Sequence, residues 1–186
     1  MRLPNHNGVL LADIAKLWPE YDLEGERYPG FMGSEGSAVW STNEAKGDVM
    51  SKIAGSCLCR SIRYRSDAQP GMVAVCHCDN CQRQSGTALA IVVGVPAGSI
   101  KFEGEEHLAT FVDRGDSGKP VNRRFCKKCG SPIVSIVEMM PDLIFIKAGT
   151  LDDKSWLRPT MHVWCESAQP WVQIPAEMTR FPRNPG

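Results

Sequence analysis

The 186-residue sequence has no long hydrophobic run and no net charge, with 21 Lys and Arg against 21 Asp and Glu. Its best apolar stretch, Ala88 to Val95, falls far short of the roughly 18 residues that a membrane-spanning helix needs. No signal-peptide core is present either, because Asp13 and Lys16 interrupt the only apolar stretch near the N-terminus. These absences lead to the expectation of a cytoplasmic protein with no membrane association. A general nucleic-acid binder carries a basic surplus, so no nucleic-acid partner is expected. The chain also lacks a phosphate-binding loop, a dinucleotide-binding glycine motif and a serine-hydrolase motif. With 42% hydrophobic and 23% charged residues, what remains is the composition of an ordinary folded protein.

What the chain does have is eight cysteines. In a reducing compartment they call for an explanation other than disulfides. Seven fall into three tight groups: Cys57-x-Cys59, Cys76-x-Cys78-x-x-Cys81 and Cys126-x-x-Cys129. Two thiolates from one turn can grip one tetrahedral ion at about 2.3 Å. Cys126-Lys127-Lys128-Cys129-Gly130 has the form of a zinc knuckle, whose glycine permits a positive φ after the second ligand. Cys57 and Cys59, read as a strand-like segment with both side chains on one face, complete a closed four-cysteine site. Cys76, Cys78 and Cys81 remain, and three ligands leave the open position typical of catalytic zinc. The alternative, plain structural zinc throughout, needs a His or Asp to complete the second site. His77, in an extended segment, should point away from the ligand face, beside the ion or toward the substrate.

Organisation changes near Met50. Residues 1–49 hold four basic and eight acidic residues, leaving the remainder with a net charge of +4. Leu10, Leu11, Ile14, Ala15 and Leu17-Trp18 have helical spacing ending at Pro19, and residues 25–49 read as linker. This N-terminal extension is set apart from a domain over 50–186, with Met50 as an alternative start. Apolar runs at Ile62–Tyr64, Met72–Cys76, Ala88–Val95, Ile100–Phe102, His107–Val112, Pro132–Val137, Leu143–Lys147 and Met161–Trp164 predict a mainly β domain of antiparallel sheets.

Three ordered motifs carry a family resemblance. Gly55-Ser56-Cys57-Leu58-Cys59, Cys76-His77-Cys78-Asp79-Asn80-Cys81-Gln82-Arg83-Gln84-Ser85-Gly86 and Phe125-Cys126-Lys127-Lys128-Cys129-Gly130-Ser131-Pro132 resemble the glutathione-dependent formaldehyde-activating enzymes, a family that includes centromere protein V-like proteins. Pro159-Thr160-Met161-His162-Val163-Trp164 and Gln169-Pro170-Trp171 fit the same pattern. The resemblance implies a β-tent fold with two zinc ions per chain, structural at Cys57, Cys59, Cys126 and Cys129 and catalytic at Cys76, Cys78 and Cys81. It implies a carbon–sulfur lyase that joins glutathione, or another thiol, to formaldehyde or another aldehyde. Gln82 departs from the family, which usually carries a basic residue there. The alternative class is a non-catalytic, zinc-stabilised binding module of the centromere protein V type.

Zinc bearing three thiolates has a formal charge of −1, and a substrate thiolate makes it −2. Arg83, His77 and the backbone around Ser85-Gly86 are the expected partners of that charge, with Arg83 and His77 the catalytic candidates. Arg123, Arg124, Lys127 and Lys128 are expected to offset the four-thiolate site. His162 and Trp164 read as sheet packing, and Cys165 as a small buried hydrophobe. Because the motifs begin only after Met50, a chain truncated to 50–186 should keep its metal content and its melting temperature within a few degrees. Loss of soluble protein on truncation would show that residues 1–49 belong to the core.

Overall fold

β-Branched residues cluster in short runs after residue 52, and in the computed structural model, which describes residues 53–185, these runs become strands. The helix expected at Leu10–Trp18 and the rest of residues 1–49 lie outside the described residues. A small sheet has the order β1 (Ile53–Ser56), β2 (Arg63–Ser66), β5 (Ile100–Glu103), all antiparallel. A large sheet is built from β3 (Met72–Cys76), β4 (Ala90–Pro96), β6 (Leu108–Arg114), β7 (Pro120–Cys126), β8 (Pro132–Val137), β9 (Leu143–Lys147), β10 (Met161–Val163) and β11 (Thr179–Arg180). Its order is β11-β10-β3-β4-β9-β8-β7-β6. An α-helix, α1 (Asp79–Ser85), interrupts the series between β3 and β4. The architecture is mainly β, as expected, and among the described residues no helix is long and apolar enough to cross a membrane.

The expected antiparallel pairing holds throughout both sheets except at β10. β10 runs parallel to β3 on one side and to β11 on the other. Parallel neighbours cannot be joined by a hairpin, and here the connection from Cys76 to Met161 runs through most of the domain. Period-2 patterning reports that a segment is a strand but not the direction of its neighbour. Four further elements were absent from the sequence reading, among them the short strands β1 and β11. β7 was hidden by its polar residues Asn122, Arg123 and Arg124, and α1 is too short to show a helical period.

The two faces of the large sheet differ in character. Val93, Val95, Val134, Ile144 and Ile146 turn toward the small sheet and share one core with Ile53, Ile62, Tyr64, Ile133 and Leu151. Each fully buried aliphatic side chain there contributes on the order of 1.5–3 kcal/mol. The opposite face carries Ala74, Val92 and Phe145 in one cluster, and Cys76, Ala90 and Val163 in another that also takes in Cys81 of α1. Cross-strand register puts Arg123 opposite Ser135 and Ser135 opposite Phe145, and puts Lys147 opposite Val92. Since side chains two apart on a strand share a face, Arg123, Ser135 and Lys147 are buried polar groups on the side that holds Cys76.

Gly55 marks the closest approach within the small sheet. Tyr64 lies opposite it and bonds to Thr150 through the two hydroxyls at 2.7 Å. A Cβ at Gly55 would stand 2.3 Å from the Thr150 carbonyl oxygen and 2.3 Å from the Tyr64 hydroxyl. Gly55→Ala should therefore cost about 1–3 kcal/mol by overpacking, read as a lowered urea midpoint at unchanged m-value.

Candidate metal centres and the cations around them

Four cysteine sulfurs, from Cys57, Cys59, Cys126 and Cys129, lie within 4.8 Å of one another. The first pair does not come from a strand, as the sequence suggested. Cys57 follows β1 directly, and the chain turns at once: the Arg60 N–H donates to the Cys57 carbonyl at 2.9 Å, and Arg60 takes a φ of 59°. The Ile62 N–H then points at the Cys57 sulfur, 3.3 Å away. A turn therefore does what strand alternation was expected to do. The second pair closes the end of β7, where the Gly130 N–H donates to the Cys126 carbonyl at 2.8 Å and Gly130 has a φ of 75°. Ser131 ties the two pairs together, accepting from the Leu58 N–H at 3.0 Å and lying 3.3 Å from the Cys129 sulfur.

This donor set fits zinc. An ion with arms of about 2.3 Å to four sulfurs has sulfur–sulfur edges of about 3.8 Å. Cys59 is 3.5 Å from Cys57 and 3.8 Å from Cys126, sulfur to sulfur. Hydrogen bonding to Ser131 pulls the Cys129 thiol down to about 5, and bonding to Ser61 lowers Cys59 as well. Both shifts favour the thiolate that a metal requires.

Three more sulfurs, from Cys76, Cys78 and Cys81, also lie within 4.8 Å of one another. Cys76 ends β3. Cys78 is the N-cap of α1, and its sulfur accepts the Cys81 N–H at 3.4 Å in the place where a serine or aspartate oxygen is usual. The i, i+3 spacing of the motif is therefore also the spacing of a helix cap. Gly86 ends α1 at a φ of 64°. Crowding divides the three thiols: hydrogen bonds from Cys78 and Cys81 push Cys76 up, while Cys76 and Cys78 hold Cys81 far down with help from Lys147 and Arg123. Among the described residues, no fourth metal-ligating side chain joins this group.

The cations beside these sulfurs were assigned differently in the sequence reading. Arg123 was placed with Arg124, Lys127 and Lys128 around the four-cysteine group. Its Nη1 instead lies 3.9 Å from the Cys81 sulfur and 3.0 Å from Gln84 Oε1, and its Nε donates to Asp113 Oδ2 at 2.8 Å. Asn80 donates to the same carboxylate oxygen at 2.8 Å. Consecutive strand residues face opposite ways, so Arg123 and Arg124 part company. Arg124 lies over the Phe102 ring, 5.3 Å from its centroid. Lys128 reaches Ser61 at 3.3 Å, and Lys127 is exposed. Lys147 is the cation that sequence reasoning missed altogether, because it ends an apolar run, Leu143 to Ile146. It is buried, and burial holds its ammonium below its ordinary range while the sulfurs of Cys81, Cys76 and Cys78 oppose that shift.

The remaining candidates separate cleanly. His77 is fully buried and lies outside the three-sulfur group; its Nε2 is 2.8 Å from His162 Nδ1, and burial lowers both imidazoles. His162, read as packing, is the partner that holds His77. Gln82 donates to the carbonyls of His77 at 2.6 Å and Ser167 at 3.0 Å, and accepts from Gln169 at 2.9 Å. Its side chain is thus committed to tying α1 to the C-terminal segment. Ser85 hydrogen-bonds within α1, to the Cys81 carbonyl. Arg83 is exposed and makes no hydrogen bond or ion pair among the described residues. Cys165 is half-buried, its thiol directed at the His162 carbonyl.

A model of the glutathione-dependent formaldehyde-activating enzyme family matches residues 52–167. No curated protein matches the chain. Among solved structures, the crystal structure of a Rhodobacter sphaeroides protein is 18% identical and matches with a TM-score of 0.45, covering 57% of this chain and 91% of its own.

The two sulfur groups should differ in what their loss does. Zinc bound at a closed site supplies on the order of 10 kcal/mol to folding, so Cys129→Ser is expected to aggregate or unfold. Cys78→Ser should keep near-native far-UV dichroism and about one zinc equivalent, against two for the unaltered chain. Equal instability of the two variants would show that both groups are structural.

Proposed function

Because the chain belongs to the glutathione-dependent formaldehyde-activating enzyme family, we propose that it is a zinc-dependent carbon–sulfur lyase acting on thiol–aldehyde adducts. In this reading Cys76, Cys78 and Cys81 hold the ion of the reacting site, and Cys57, Cys59, Cys126 and Cys129 hold a structural ion. The observation that supports it is the asymmetry between the groups: three sulfurs attended by two buried cations, against four sulfurs attended by hydroxyls and N–H groups.

Zinc held by three cysteines would offer one position to a substrate thiol and favour its thiolate form near neutral pH. The chain's own residues answer the resulting charge. Three cysteinates and a substrate thiolate around a divalent ion leave a formal −2, and Arg123, shared between Cys81 and Asp113, and Lys147 are the buried basic side chains on that side. A buried charge is tolerated only when paired. Asp113 and Gln84 hold Arg123 on Cys81, and Asn80 holds Asp113. The cation is therefore positioned before substrate arrives.

The reaction balances without oxidation or reduction. The thiol releases its proton, and a sulfur electron pair forms the C–S bond to the aldehyde carbon. The carbonyl π pair moves to oxygen, which takes up a proton. The reverse reaction breaks the C–S bond and returns both components. Glutathione and formaldehyde, the pair that names the family, are the first small-molecule partners to test, and the cytoplasm is the compartment proposed for that chemistry.

The test is NMR exchange spectroscopy of a glutathione–formaldehyde mixture with the zinc-loaded full chain. Acceleration that disappears in Cys78→Ser is expected. Arg123→Met should lower kcat/KM by about 10–100-fold, the usual cost of removing a group that supports a metal site, with Arg123→Lys partly restoring it. A protein that holds two zinc ions and accelerates no thiol–aldehyde pair would instead be a zinc-stabilised binding module of the centromere protein V type.

A further inference from the structure

A cavity of about 440 Å3 opens between α1 and the β6–β7 hairpin, within the size range of small-molecule sites. Its walls include Phe111, Phe125 and Pro132, with Arg123 and Asp113 among its polar groups and Arg83 on the α1 side. Arg123 joins this cavity to the three-sulfur group, since its guanidinium both lines the cavity and stands 3.9 Å from the Cys81 sulfur. Phe111 lies directly across the β6–β7 ladder from Arg123 and is 61% exposed. A large aromatic side chain held in water at the mouth of a cavity favours a ligand that covers it.

Charge narrows the ligand further. Asp113 is neutralised by Arg123, and Arg123 is shared between that carboxylate and Cys81. Arg83 is the lining cation with no partner among the described residues. The cavity therefore offers one uncommitted positive charge and three apolar side chains, its other polar groups, Asn80 and Gln84 included, being bonded to Asp113 and Arg123. Glutathione brings two carboxylates, an ammonium group and two amides, and polar groups set against apolar walls cost free energy unless each finds a hydrogen bond.

Resting on the lyase reading, we propose that the substrate of this chain is an adduct with an aromatic or bulky aliphatic body and a single acidic group, the body lying against Phe111 and Phe125 and the acid against Arg83. The body can enter on the thiol or on the aldehyde, and either fills the same walls.

The zinc-loaded full chain is given three pairs: glutathione with formaldehyde, 2-mercapto-3-phenylpropanoate with formaldehyde, and 2-mercaptoethanol with 4-carboxybenzaldehyde. One of the two aromatic pairs should exceed the glutathione pair in kcat/KM by about tenfold or more, and which one wins identifies the component that carries the body. Arg83→Gln should narrow the preference for the acid-bearing over the acid-free aromatic compound by about tenfold, the scale of one charge-assisted hydrogen bond. Unreactive 3-phenylpropanoate gives a readout independent of turnover: its ring protons should show saturation transfer from the protein, lost in Phe111→Ser. A glutathione pair that is fastest and indifferent to both substitutions overturns the substrate class and leaves the lyase reading standing. No acceleration of any pair by protein with two zinc ions overturns the lyase reading, and the substrate class with it.

Discussion

Thiolate charge inside a protein must be answered by positive charge, and the guanidinium that lies on a cysteine sulfur here is that of Arg123. Arg123 reaches from the large sheet to the Cys81 sulfur, is fixed by Asp113 on the neighbouring strand, and Asp113 is fixed in turn by Asn80 of α1. The contacts form a closed circuit from helix to sheet to hairpin and back to helix. Breaking a buried pair by removing one partner costs about 3–5 kcal/mol, so each member constrains the others. The short helix, the β6–β7 hairpin and the three-cysteine turn can therefore settle only in one mutual arrangement.

The two faces of the large sheet differ in what they bury. One face is aliphatic and packs on the small sheet, with Cys57 and Cys126 embedded in the same core. The four-sulfur group therefore sits where it can hold the two ends of that core together. The other face collects Cys76, Arg123, Ser135 and Lys147 among smaller apolar patches. Polar burial of this density is expensive unless each group has a partner. Yet the Ser135 hydroxyl and His77 Nδ1 are buried without a partner among the described residues.

Much of the fold was legible because apolar runs report strands directly. Met72–Cys76, Pro132–Val137 and Leu143–Lys147 were read to the residue. β7 was not, because its burial depends on charges that find partners only in the folded sheet. The parallel placement of β10 was invisible for a similar reason, since its partner β3 lies some 85 residues earlier, as the His77–His162 contact spans. Gln82 shows a subtler limit. Noted in the sequence only as a departure from the family's usual basic residue, it is a clamp whose three hydrogen bonds reach His77, Ser167 and Gln169.

By itself, the sequence determined how the sulfurs are grouped: pairs and triplets separated by one or two residues must converge, because a single turn is enough to bring them together. Counting gave groups of two, three and two; the fold then brings the two pairs, far apart in the chain, into one group of four. Only the tertiary structure decided which cation attends which sulfur. Arg123 and Arg124 are adjacent in the chain, yet strand alternation sends one to Cys81, 42 residues away in sequence, and the other to the ring of Phe102. Lys147 comes to the same buried face as Cys76 because β9 sits beside β4 in one particular register. Spacing encodes contacts within a turn; register, shared by strands far apart in the chain, encodes the rest.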